Sequence, residues 1–193
     1  MKINIVILLC TLLLSKTVMA IEEPEFKVLK DFGDGIELRQ YNAFIIAETE
    51  VNAANADEAG NLAFKRKQSI AMTAPVNQAR SEKIAMTAPV SQRQADNGKW
   101  LVSFVMPNKY SLETLPIPND KSVYFKQVPA RKVLAIRFSG RWTDGNFADH
   151  ENLLVASVKA NQLKTVGIPW TARYNPPFMP GFLRRNEVMI ELR

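Results

Sequence analysis

Ile70-Ala71-Met72-Thr73-Ala74-Pro75-Val76-Asn77-Gln78 is followed fourteen positions later by Ile84-Ala85-Met86-Thr87-Ala88-Pro89-Val90-Ser91-Gln92, with the polar run Ala79-Arg80-Ser81-Glu82-Lys83 between the two copies. Solenoids and propellers repeat in units of about 20–50 residues, whereas this phrase is one strand long. Its apolar and β-branched residues, its proline and its polar spacer predict two short strands joined by an exposed loop. Pro75 and Pro89 end or edge these strands, and Met72 and Met86 are expected to pack. The fold therefore turns on a sheet, and the rest of the chain is read for the strands that join it.

Upstream, Lys2, the apolar run Ile3–Leu14 and the small-residue site Val18-Met19-Ala20 form a secretory signal peptide over residues 1–20. The run is too short to span a membrane comfortably, and no second one follows. Leu9 before Cys10 argues against a lipoprotein site. Cleavage after Ala20 is expected to release a soluble periplasmic or secreted product, residues 21–193, as a single domain. The only cysteine leaves with the leader, so the remainder offers no thiol nucleophile and no thiolate for a metal. Lys2 and Lys16 leave too, which lowers the net charge from +6 to +4. The basic residues are scattered, without an aromatic-interleaved stripe, and this excludes a nucleic-acid partner.

Downstream of the leader, Gly33-Asp34-Gly35 signals a turn, and Ile36–Val51 reads as a long strand bent near Gln40–Asn42. Asn55 and Glu58 predict a capping box opening a helix to about Lys67, with a thin apolar face (Ala56, Ala59, Leu62, Ala63) weakened by Gly60. Trp100–Met106 is apolar on both faces and so central. Val123–Val128 and Lys132–Ser139 follow as strands. Asn146 is expected to cap a second helix to about Leu163, stopped by Gly167 and Pro169. Trp170–Tyr174 and Glu187–Leu192 close the chain. The rhythm strand, helix, strand, strand thus occurs twice, in halves spanning about 36–107 and 121–193. The predicted class is α+β: a distorted antiparallel β-barrel with two helices packed outside.

Three motifs then point to a family. Ile84–Val90, the pair Phe104-Val105-Met106-Pro107 and Leu115-Pro116-Ile117-Pro118-Asn119-Asp120, and Tyr174-Asn175-Pro176-Pro177 with Arg184-Arg185-Asn186-Glu187-Val188 resemble the SOUL haem-binding proteins in order and spacing. The resemblance runs from about Glu25 to Leu192. It implies a duplicated barrel similar to bacterial effector-binding domains, and non-enzymatic binding of haem or a related porphyrin in an apolar surface groove. It places that groove at the first helix and the loop before the last strand, which here are Asn61, Leu62, Phe64 and Lys65, and Phe178 and Met179; a porphyrin's propionates need cations at the rim, for which Lys65, Arg66 or Arg184 could serve. The upstream copy, Ile70–Gln78, extends the family's usual single motif.

For iron ligation the chain offers one histidine, His150, on the flank of the second helix's stripe of Phe147, Leu154 and Val158. It is a weak metal candidate. The methionines outside the leader (Met72, Met86, Met106, Met179, Met189) read as core filler first. No nucleophile elbow, H-E-x-x-H, C-x-x-C or phosphate-cradling glycine loop is present. Glu48, Glu50 and Glu187 are strand carboxylates whose convergence in the barrel would make a hydrolase using one of them an alternative. Another is binding of a different amphipathic ligand, a lipid or a hydrophobic cation. The expected partner is a small-molecule tetrapyrrole, and the expected state is a monomer.

Overall fold

A computed structural model of the chain describes residues 21–68, 84–118 and 120–193. The leader and the first copy of the phrase lie outside the described residues. The elements are β1 (Phe26–Gly33), β2 (Ile36–Tyr41), β3 (Phe44–Val51), α1 (Ala56–Gln68), β4 (Val90–Gln94), β5 (Trp100–Val105), β6 (Val123–Val128), β7 (Arg131–Phe138), α2 (Asp144–Ala160), β8 (Thr165–Arg173) and β9 (Asn186–Leu192). The strands form one nine-stranded antiparallel sheet in the order β1-β2-β7-β9-β8-β4-β5-β3-β6. The class is α+β, and the sheet is distorted but open, with β1 and β6 at its edges.

That order contains the two halves. β3, β5 and β4 lie together under α1, β7, β9 and β8 lie together under α2, and the halves meet where β4 pairs β8. Each half also borrows a strand. β2 runs directly into β3 yet pairs with β7, and β6 runs directly into β7 yet pairs with β3. The expected single strand Ile36–Val51 is therefore two strands, broken at Asn42-Ala43, because its two ends belong to different halves.

Alternation along each strand builds two layers of core. One face meets the helices: Ala59 and Ala63 of α1 pack on Ala47, Val51, Val102 and Phe104, while Phe147 and Leu154 of α2 pack on Leu134, Ile136, Val188 and Ile190. The other face is concave and carries Tyr41, Val133, Ala135, Ala172, Tyr174 and Met189. Burial of this kind contributes about 25 cal/mol per Å² of apolar surface.

Local chemistry sets the helix ends. Asn55 Oδ1 accepts from the Glu58 N–H at 2.9 Å as expected, while the Glu58 carboxylate reaches one residue past the cap and accepts from the Ala54 N–H at 2.8 Å, a variant of the predicted capping box. Gly60 has a packing reason: a Cβ there would lie 2.7 Å from Gln92 Nε2, which donates to the Ala56 carbonyl. Thr143 caps α2 instead of Asn146. Its hydroxyl accepts from the Asn146 N–H, while the Asn146 side chain donates to the carbonyls of Ser139 and Arg141. α2 ends at Ala160, and Gly167 and Pro169 sit inside β8 at an irregular register. In the second copy of the phrase, regular pairing begins only at Val90, after a cis Ala88–Pro89 bond. Ile84 is buried in the core under α1, but Met86 is exposed, contrary to its expected packing role.

Candidate ligand cavity on the concave face

The concave face holds a cavity of about 350 Å³. β3 and β5 supply Phe44, Ile46 and Val105 as walls, β7 and β9 supply Val133 and Met189, and Trp170 of β8 closes one side. These are inward members of an alternating pattern on strands far apart in sequence. The exposed side chains of Arg93 and Lys126 stand at the rim. Arg131 also lines the cavity; its guanidinium lies 4.8 Å over the Trp170 ring and donates to Glu191 at 2.7 Å.

The three strand glutamates do not converge. Glu50 is half exposed at the surface, 3.7 Å from Lys99 Nζ. Glu187 is fully buried (0 % exposed) and held from several sides: Arg39 donates twice (2.8 and 3.2 Å), Arg185 Nε donates at 3.0 Å and the Tyr174 hydroxyl donates at 2.7 Å. Burial opposes the charge on Arg39, but the hydrogen bonds and charge of Glu187 outweigh it and raise the arginine's pKa. Burial, aided by the Glu187 charge, also pushes the Tyr174 phenol well up. This cluster is a charge lock in the second half. Glu48 alone of the three lines the cavity. It is 5 % exposed, and its two oxygens accept from Ser103 Oγ (2.9 Å) and the Tyr124 hydroxyl (2.8 Å). Burial, then the hydrogen bond to Glu48, pushes the Tyr124 phenol up to about 12, so at neutral pH it is a donor.

The residues that the resemblance singles out lie elsewhere. Asn61, Leu62, Phe64 and Lys65 are on α1, where Leu62 and Phe64 pack partly against the core beneath it. Phe178 and Met179 are on the loop between β8 and β9, and Phe178 is 85 % exposed. Arg184 donates to the carbonyls of Met179 (2.7 Å) and Pro177 (2.6 Å) and stacks 4.3 Å over Trp142, so it holds the loop in shape. None of these seven residues lines the concave cavity. His150 stacks on Phe138 at 3.7 Å with its Nδ1 2.7 Å from the Asn146 carbonyl, also away from the cavity. Met189 is the methionine that does line it. Reading the sequence passed over Trp170, Arg131 and Phe44. Their only signal was strand alternation, which says that a side chain points inward and not what it meets there.

An antiparallel sheet with two helices on one face and a lined hollow on the other defines an α+β domain. Residues 21–191 match the family model described as SOUL heme-binding protein. The chain belongs to the SOUL heme-binding protein family. Among solved structures it is similar to the EcmrR C-terminal domain (TM-score 0.62, 11 % identity, covering 82 % of this chain and 96 % of that one). It is also similar to an uncharacterized conserved protein from Listeria innocua (TM-score 0.53, 7 % identity, 83 % and 93 % covered) and to a hydrolase from the same organism (TM-score 0.51, 8 % identity, 83 % and 92 % covered). At such identities the likeness is one of fold. No curated protein matches the sequence.

Proposed function

We propose that this chain binds haem or a related porphyrin without chemical turnover, and that the concave cavity is where it does so. The observation that carries this is the cavity's make-up: walls of Phe44, Ile46, Val105, Val133, Trp170 and Met189, with the cations Arg93 and Lys126 at the rim. A porphyrin is a flat apolar body with two carboxylates, and such a lining offers it burial and charge pairing together. At about 350 Å³ the space is near the lower end of the usual range of about 300–1,000 Å³, so part of the macrocycle stays outside, against Val166 and Ile168 at the mouth. Haem brings its own iron chemistry; the chain contributes apolar walls, exclusion of water and charges of chosen sign. With the leader removed after Ala20, the role is haem storage, transport or scavenging in the cell envelope.

The test is a haemin titration of the protein from Ile21 onward, read at the Soret band. One saturable site of micromolar or better affinity is expected, and a linear, unsaturable response overturns the reading. Filling the cavity with Val133→Trp should abolish the site. Phe178→Ala combined with Lys65→Glu should leave it intact. The reverse result would move the site to α1 and the β8–β9 loop, the location the family resemblance implies and the exposure of Phe178 favours.

A further inference from the structure

The concave cavity contains a carboxylate that no positive group among the described residues neutralises. Glu48 is almost wholly removed from water, yet its neighbours within hydrogen-bond reach, Ser103 and Tyr124, are neutral hydroxyls. Among the described residues no Lys or Arg nitrogen lies within ion-pair distance of it; the recorded pairs involve other carboxylates. Arg93 and Lys126 line the same cavity but are exposed at its rim. Taking a carboxylate out of water costs several kcal/mol, and hydroxyl donors offset only part of that. Glu187 is the internal standard: also buried, it is matched by two guanidinium groups. A carboxylate also has about four acceptor sites, of which the hydroxyls of Ser103 and Tyr124 fill two. The rest of Glu48 is open to whatever enters the cavity.

We infer that Glu48, held by Ser103 and Tyr124, is the counter-charge for a positively charged centre carried on an apolar ligand. On the porphyrin reading, on which this part rests, that centre is the ferric core of haem, which a metal-free porphyrin lacks although it carries the same propionates. A lipophilic organic cation presents the same chemistry without propionates. Charge at Glu48 therefore selects among ligands that the apolar walls alone would accept equally. Glu48 is a positioning and selecting group here and takes part in no bond-making step.

The test measures binding of ferric protoporphyrin, metal-free protoporphyrin and a tetraarylphosphonium cation to the wild-type protein and to Glu48→Gln. The amide keeps the size of the side chain and hydrogen-bonding partners for Ser103 and Tyr124, and a melting curve confirms the fold. The wild type should prefer the ferric over the metal-free porphyrin by at least about tenfold, the factor that about 1.4 kcal/mol supplies. In Glu48→Gln that preference should vanish through weaker binding of the ferric porphyrin, and the ferric complex should show a shifted Soret band. Equal affinity of the wild type for the two porphyrins, or a preference that survives in Glu48→Gln, overturns the inference and leaves the porphyrin reading standing. If neither porphyrin saturates, the porphyrin reading fails; cation binding lost in Glu48→Gln would then still support Glu48. No binding in any arm overturns both.

Discussion

The two halves of the sheet are built to one plan and stabilised in opposite ways. In the second half the buried Glu187 is matched by Arg39, Arg185 and Tyr174, and α2 lies on Leu134, Ile136, Val188 and Ile190. In the first half the buried Glu48 meets only hydroxyls, α1 contributes a thin face of small residues, and its last turn buries Lys67 over the Phe104 ring at 4.9 Å. Burial alone lowers the Lys67 pKa to about 8. One half is closed by charge, while in the other the buried Glu48 and Lys67 have no ion-pair partner among the described residues.

Replacing Glu187 with Gln should have the largest effect, a loss of about 3–5 kcal/mol in chemical denaturation, because Arg39 and Arg185 would lose their fully buried counter-charge and keep only the part-exposed carboxylates of Glu37 and Glu23. A loss below about 1 kcal/mol would break the distinction between the halves. Lys67→Met should act in the other direction, stabilising the fold by about 1–3 kcal/mol at pH 7. The sign follows from linkage: the folded pKa of about 8 lies below the ordinary value of 10.5. The buried ammonium therefore costs stability throughout the pH range below about 8, and the cost is relieved as pH rises from about 8 to 10.5. The advantage of Lys67→Met should shrink over that interval, and an advantage independent of pH would rule out burial of charge as its source.

Gly60→Ala should lower stability by about 1 kcal/mol even though alanine is the better helix former by about that amount, since the added methyl meets a Gln92 side chain that is itself buried and hydrogen-bonded. A rise in Tm would show that Gln92 can step aside. Glu48→Gln should be the mildest, within about 1 kcal/mol, because an amide satisfies the same hydroxyls without an uncompensated charge. If it destabilised the fold as much as Glu187→Gln, Glu48 would be structural and the first half as locked as the second.

Much of the architecture was legible because it follows from local pattern. Alternation in Trp100–Val105 and Asn186–Leu192, the Asn55–Glu58 cap and the doubled strand-helix-strand-strand rhythm need no knowledge of distant neighbours. β1 was missed for a physical reason: an edge strand that is exposed along most of its length carries no hydrophobic alternation to read. The start of β8 was missed because Gly167 and Pro169, ordinary breakers, are absorbed by a register irregularity. The cavity was illegible for a different reason. Phe44, Val133, Trp170 and Met189 come from four strands, and only the strand order brings them together. Glu48 was visible as a strand carboxylate, but only its partners separate it from Glu187.

The exchange of β2 and β6 between halves bears on how the chain comes to be folded at all. β9, residues 186–192, sits between β7 and β8 and supplies Val188 and Ile190 to the core beneath α2. A growing chain has β7 and β8 before it has the strand that joins them, and β2, made early, waits for β7 before it has a partner besides β1. Loop closure over such spans must precede any gain from packing. The second half is therefore completed by its last-made strand, and until β9 is in place β7 and β8 face each other with unpaired backbone edges.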